Sequence, residues 1–283
     1  MTAALKTAAE SDVRDQWLTP PWSFPYRIVR HDLAETLRSA RPYVSGRLLD
    51  LACGPKPYAS LFQDLTEVHW GMDLGAWEGS VDTVGDVERL PFADRSFDTV
   101  LCTEGLEHFR RPHAVLAEIR RVLAPNGAVI LSTPMTWGLH AEPYDYWRFT
   151  IHGLRQLAAD EGLEVVASWR RGGGAKVIGQ MMARWIEEDT TPQQTRLRSW
   201  LVRTSFAMLS PLARADALLR QRTVERSLQG LHGILEGGIS RLPLVAPGIA
   251  LVNRLATSVD RRIPWAHETI GYTVVLKHRS RAA

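Results

Sequence analysis

This 283-residue sequence predicts an α/β fold: a mainly parallel sheet, with a helical insertion ahead of its last strand. Three observations carry the prediction. Apolar strand-like runs alternate with amphipathic helical runs up to Trp169, the order that right-handed crossovers between parallel strands demand. A buried run ends in Asp50 and a tight turn at Gly54, where open α/β sheets bind their ligands. After Gly172, Gly173 and Gly174 the periodicity turns helical until about Val259, and one strand-like run then follows.

The elements follow in order. Residues 1–30 read as an irregular N-terminal arm, with Pro20, Pro21 and Pro25 set among Trp17, Trp22, Phe24 and Tyr26. Such a segment serves either as a lid or as an arm packed on the core. His31–Ala40 reads as a helix, Arg47–Ala52 as a buried strand and Tyr58–Leu65 as a short helix. Glu67–Asp73, Val81–Val84 and Ser96–Thr103 read as strands. His113–Leu123 is an amphipathic helix, with Val115, Leu116, Ile119 and Val122 at helical spacing. Pro125-Asn126-Gly127 reads as a turn and Ala128–Ser132 as a strand. Ile151–Glu161 is a helix capped by Thr150 and ended by Gly162, and Leu163–Trp169 is a strand. Lys176–Glu188 gathers Val177, Ile178, Met181, Met182, Trp185 and Ile186 on one helical face. Thr269–Lys277 is the last strand. The expected division is an arm over 1–30, an α/β domain over 31–174 and 266–283, and a helical insertion over 175–265.

Composition bounds the function. Hydrophobic residues make up 45% and charged residues 23%, which excludes a disordered or fibrous chain. The net charge of +3 is too small to argue for a nucleic-acid partner. Cys53 and Cys102 are the only cysteines, so a disulfide scaffold is excluded and a reducing, cytoplasmic setting is expected. No signal-peptide pattern and no apolar stretch long enough to span a bilayer is read from the sequence. There is no Gly-x-Ser-x-Gly elbow for a hydrolase and no Gly-Lys-Ser/Thr phosphate loop.

The sharpest signal is Leu48-Leu49-Asp50-Leu51-Ala52-Cys53-Gly54-Pro55, a strand followed by a turn with a single glycine. Asp73 ends the next strand, at the offset where an acid reaches ribose hydroxyls. A pyrophosphate cradle needs three glycines, so the ligand reads as adenosine-like rather than dinucleotide. Asp86 and the strand-end pair Thr103-Glu104 follow. With Leu90-Pro91-Phe92, Ser96-Phe97-Asp98, Leu106-Glu107-His108 and Arg121–Gly127, these residues resemble the class I S-adenosylmethionine-dependent methyltransferases. That resemblance implies a Rossmann-like sheet whose last strand is antiparallel, and S-adenosyl-L-methionine as cofactor. Asp50, Ala52 and Gly54 would approach its methionine part. Asp73 would hold the ribose, Asp86 and Val87 the adenine, and Thr103 and Glu104 the floor. Ala52 stands where the family usually has glycine, which is cheap if its φ stays negative.

The second dense patch is His140-Ala141-Glu142-Pro143-Tyr144-Asp145-Tyr146-Trp147-Arg148-Phe149, on the same carboxyl edge. Four ionisable groups so close together resist burial as packing. Glu142, Tyr146, Trp147 and Arg148 are candidate substrate contacts, and Phe149 is a core residue. The patch resembles a subgroup of these enzymes that modifies glycans and small molecules. Methyl transfer to a hydroxyl needs alignment and a general base, which suits His140, with His108 in reserve. Asp145 would orient His140 or pair with Arg148. No metal is expected, since His140-x-Glu142 lacks a second close ligand pair.

Residues 175–265 carry 13 lysines and arginines against 7 acids, a surplus of +6 that leaves −3 elsewhere. With Trp185 and Trp200 among apolar stripes, this reads as a helical cap or homodimer interface, or as a peripheral membrane contact. The expected function is O-methylation of a small-molecule or glycan hydroxyl. The alternatives are a non-catalytic scaffold acting through the insertion, or methylation of RNA or protein. The last is disfavoured because Thr103-Glu104-Gly105-Leu106 stands where nucleic-acid amino-methylases carry an Asn-Pro-Pro-Tyr type of motif.

Overall fold

A computed structural model describes residues 17–77, 79–187, 245–262 and 268–279. Seven strands form one sheet: β1 (Gly46–Leu51), β2 (Thr66–Asp73), β3 (Thr83–Val84), β4 (Phe97–Thr103), β5 (Leu123–Pro134), β6 (Leu163–Arg171) and β7 (Gly271–His278). Their spatial order is β3-β2-β1-β4-β5-β7-β6. The pairs from β3 through β5 are parallel, and β7 runs antiparallel to both β5 and β6. This is the Rossmann-like sheet that the resemblance implies, with the closing strand reversed.

The helices described are α1 (Arg27–Ala40), α2 (Pro112–Val122), α3 (Ile151–Asp160), α4 (Gly174–Glu187) and α5 (Val245–Arg262). Period-two alternation sends neighbouring strand residues to opposite faces of the sheet. Leu49, Leu51, Val100, Cys102, Val129 and Leu131 meet α2 and α3 in one core. Leu48, Leu101, Ile130 and Val275 meet Leu33, Leu37 and Ala40 of α1 in the other. Both faces are covered, which is why these strands read as continuous apolar runs.

Local chemistry accounts for the ends. Pro112 opens α2 at a position where its missing N–H costs nothing. The Thr150 hydroxyl accepts from Gly153 N at 3.0 Å, and Gly162 leaves the region of α3 with φ +71°.

Four expectations change. Tyr58–Leu65 is not an α-helix but a single 3-10 turn, Ala59–Leu61. Pro57 precedes it, and Phe62 is buried against the sheet. Pro125-Asn126-Gly127 lies within β5 as a bulge, because β4 pairs with residues on both sides of it. The third expected strand shrinks to Thr83–Val84. The predicted single face of α4 is split: Val177, Gln180 and Ala183 are buried, while Ile178, Met181 and Trp185 are exposed. Helix α4 packs on α5 instead, and a methyl added at Gly179 would lie 2.3 Å from the Ala256 Cβ.

The aromatic arm is packed. Gln180 Nε2 donates to the Pro25 carbonyl at 2.6 Å, and Asn253 Nδ2 donates to the Trp22 and Phe24 carbonyls at 2.9 and 3.1 Å. Arg30 lies over the Trp17 and Phe24 rings, and Arg27 over Trp22. Residues 1–16 and 188–244, with Trp200 and half of the basic surplus, lie outside the described residues. None of the described helices is long and apolar enough to cross a membrane.

Candidate active site at the carboxyl edge of the sheet

Register assembles the site. Leu51 pairs with Met72 and Cys102, and Cys102 pairs with Leu131, so these four form one row across the sheet. The next positions, Ala52, Asp73, Thr103 and Ser132, therefore stand side by side at the carboxyl edge. All eight cofactor residues predicted from sequence lie on this edge or on the loops that leave it.

The first turn is tight. Ala52 has φ +52°, against the expectation of a negative angle. The chain must reverse at once so that Cys53 N can donate to the Met72 carbonyl at 3.2 Å. A left-handed alanine costs about 1–2 kcal/mol. Gly54 has φ +49°, and an added Cβ would meet nothing within 4 Å, so its outer side is open. Gly54 N donates to Asp73 Oδ2 at 2.9 Å, and Gly75 N donates to Oδ1 at 3.1 Å. Asp73 is thereby locked beside the open side of Gly54, with lone pairs to spare for a diol. Asp86 is exposed and accepts from Glu88 N at 2.9 Å, while Val87 is buried in the core under it.

Asp50 is neither a cap nor a surface acid. It is buried, its Oδ2 lies 2.9 Å from His69 Nε2, and its Oδ1 has no partner. Burial pushes its carboxyl above the ordinary range. A buried acceptor without a donor beneath an open turn fits a ligand that carries a cationic amino group. Asp50, Gly54, Asp73 and Asp86 would hold S-adenosylmethionine in the roles given above. Cys53 beside them is no nucleophile, since burial pushes its thiol up to about 12.

The fourth strand ends at Thr103, and Glu104 follows it. Glu104 Oε1 accepts from the Ser132 hydroxyl at 2.8 Å, and its Oε2 lies 3.0 Å from Arg171 Nη1. Arg171 is fully buried, and its Nη2 donates to the Thr133 carbonyl at 2.7 Å. This pair fixes the floor, and sequence reading missed the arginine. At the end of a strand it looks like any surface base, and its partner is 67 residues away. Gly271 is required here, because a Cβ would lie 2.1 Å from Arg171 Nη2.

The second patch meets the loop after β4. The rings of His108 and His140 are 4.8 Å apart and nearly perpendicular. His140 N donates to Asp145 Oδ2 at 3.0 Å, and its Nδ1 lies 3.2 Å from the same oxygen. Asp145 also takes two bonds from Arg148, at 2.6 and 2.7 Å, so it faces both of the residues expected beside it. Arg148 holds Asp145 well below the ordinary carboxylate range. Burial lowers the pKa of His140 below its ordinary 6.5. His108 Nδ1 donates to the Tyr144 carbonyl at 2.7 Å, so it bridges two loops rather than capping its own turn.

Arg148 is consumed by Asp145 and by the Trp137 and Gly138 carbonyls, which makes it a clamp for the loop. Tyr146 accepts from Arg110 Nε at 3.0 Å, and Trp147 Nε1 donates to the Phe109 carbonyl at 2.9 Å while its ring stacks on Phe149. Glu142 is exposed. The residue that joins the two histidines is Glu107, which is fully buried. Its carboxyl lies well above the ordinary range, chiefly through burial and then through Glu104. The sequence signal for it was its place in Leu106-Glu107-His108, which gave it no role at the site.

Comparison with known proteins agrees with this geometry. Residues 49–131 match the family described as methyltransferase domain. A malonyl-[acyl-carrier protein] O-methyltransferase of Alcanivorax borkumensis is 32% identical over 156 residues, covering 50% of this chain and 51% of that protein. A demethylmenaquinone methyltransferase of Renibacterium salmoninarum is 33% identical over 95 residues, covering 30% and 40%. The chain thus spans about half the length of the curated relatives it matches, or less. A solved S-adenosylmethionine-dependent methyltransferase from Mesorhizobium loti is 16% identical, with a TM-score of 0.42 over 50% of this chain and 85% of that one. The matched segment, residues 49–131, lies in this strand order with Gly54 and Asp73 at its edge, and there the chain is similar to a methyltransferase domain.

Proposed function

We propose that this protein transfers the methyl group of S-adenosylmethionine to a small-molecule acceptor bound over His108 and His140, at an oxygen. The observation that carries this is the state of His140. Its Nδ1 faces two acceptors, Gly138 O and Asp145 Oδ2, so Nδ1 bears the proton and Nε2 keeps its lone pair. Gly105, in the loop that carries His108, packs against the first turn, since a Cβ added at Gly105 would lie 3.1 Å from the Ala52 Cβ.

The cofactor supplies a methyl on a sulfonium, an excellent leaving group. An acceptor hydroxyl aligned with that methyl would pass its proton to His140 Nε2. Asp145 holds the ring and faces the imidazolium that forms. Alignment supplies most of the acceleration, with the base contributing roughly 10²–10⁴-fold.

The names of these relatives speak of a malonyl-[acyl-carrier protein] O-methyltransferase and of menaquinone and ubiquinone methylation. A base at this position serves a carbon acceptor next to a hydroxyl equally well, because an oxyanion activates the adjacent carbon. C-methylation is therefore the second reading, and a glycan hydroxyl is one member of the first. In this proposal α4 and α5 hold the arm, through Gln180 and Asn253.

Calorimetric titration with S-adenosylmethionine, followed by methyl transfer to a panel of hydroxylated acceptors, tests the reading. Asp73→Ala is expected to weaken cofactor binding at least tenfold. His140→Ala is expected to leave binding intact and to lower kcat about 10²-fold or more. Wild-type turnover in His140→Ala refutes the base, and absent cofactor binding refutes the whole reading.

A further inference from the structure

We propose that Glu107, His108 and His140 form a binding site for one divalent first-row transition-metal ion, with zinc, manganese and iron(II) as the fitting class. Three ligand atoms, one carboxyl oxygen and two imidazole nitrogens, converge on one point. His108 Nδ1 lies 2.7 Å from the Tyr144 carbonyl, which can only accept, so its proton is there and Nε2 is bare. His140 Nδ1 faces only acceptors, so its Nε2 is bare as well. The two Nε2 atoms lie 3.8 and 4.0 Å from Glu107 Oε1. That oxygen is buried and has no hydrogen-bond partner of its own.

Two imidazole lone pairs and a buried carboxylate oxygen without a donor are a costly arrangement unless something positive sits among them. The three ligand atoms all lie within 4.8 Å of one another. Atoms bound at about 2.1 Å around a tetrahedron stand about 3.4 Å apart, so a small inward rotation of the rings closes the site. The outer contacts are those of a metal site: each imidazole gives its second nitrogen to an oxygen, and Glu107 Oε2 lies 3.4 Å from the Thr133 hydroxyl. Two nitrogens and one carboxylate oxygen select a transition metal over magnesium or calcium, which prefer all-oxygen shells. The histidine side chains are 23% and 32% exposed, so one side of the site is open to an exchangeable ligand.

Open coordination beside the cofactor edge gives the metal a use. It would bind the acceptor oxygen and lower its pKa, with His140 as ligand and the ion in place of the base. That use rests on the acceptor reading above, whereas the binding of the ion does not.

The test is direct binding to the full chain after treatment with a chelator. Zinc is measured by calorimetry and equilibrium dialysis, cobalt by its visible absorption, and magnesium serves as the contrast. One equivalent of zinc per chain is expected, with magnesium at least 100-fold weaker. Glu107→Gln keeps the shape of the site and is expected to weaken zinc at least tenfold, and His108→Ala to do the same. Unchanged S-adenosylmethionine binding shows that the variants are folded. Absence of zinc binding, or binding that Glu107→Gln leaves unaltered, overturns the site and leaves a proton as what Glu107 shares with the histidines. Zinc bound as expected while no acceptor is methylated upholds the site and overturns only the acceptor reading.

Discussion

Ala52 shows how one backbone angle separates fold from function. The turn needs a left-handed residue, and a Cβ there carries a penalty of about 1–2 kcal/mol. Ala52→Gly is therefore expected to stabilise the chain by about 1 kcal/mol, allowing for the greater freedom of glycine when unfolded. Urea denaturation checks this, and a loss of stability would mean that the Ala52 methyl packs better than its angle suggests. Glu104 and Glu107 make a similar contrast three residues apart. Arg171 and the Ser132 hydroxyl engage Glu104. Glu107 has one oxygen near Thr133 and the other with no donor at all. Of two acids in one loop, the partnered one holds the floor and the unpartnered one is available for chemistry.

At the scale of elements, α1 and α4 are joined by Lys176 and Asp32, at 2.8 and 2.9 Å in a nearly buried setting. Burial raises the Asp32 carboxyl, but the bonds from His31 and Lys176 outweigh it, and the net shift is below the ordinary 3.8. A depressed folded pKa contributes stability above the unfolded value and loses it as pH falls through the folded one. The wild-type melting temperature is therefore expected to fall on acidification below about pH 4, where the unfolded carboxylate titrates first. Asp32→Asn should start about 3 kcal/mol less stable, with Lys176 left unpaired, and should lose less between pH 5 and 3. Parallel slopes for the two proteins would count against this pair. The same elements hold the aromatic arm, because Gln180 and Asn253 satisfy carbonyls in a proline-broken segment that makes no ladder of its own.

For the whole molecule, the cofactor turn, the floor and the histidine cluster lie on one edge of one sheet. A ligand that binds only this folded edge stabilises every element paired through it. S-adenosylmethionine at 100 times its dissociation constant should add about 2.7 kcal/mol to the stability, read as a rise in melting temperature. Asp73→Ala should show no such rise at the same concentration, and an equal rise would place the cofactor elsewhere.

The sequence by itself determined the alternation of strands and helices, the carboxyl-edge turn at Gly54 and the acids Asp50, Asp73 and Asp86. These are written in local period and in strand-end position, both of which survive without tertiary contacts. The short helix expected after Gly54 is a single 3-10 turn, after Pro57 and with Phe62 buried against the sheet, and the turn expected at Pro125–Gly127 is a bulge, because pairing with β4 carries the strand across it. Only the tertiary structure decided that Arg148 is a clamp, that Arg171 is buried under Glu104, and that Glu107 rather than Glu142 stands with His108 and His140. The reason is physical. A carboxylate's fate depends on the donors that reach it, and here those donors arrive from strands and loops far along the chain.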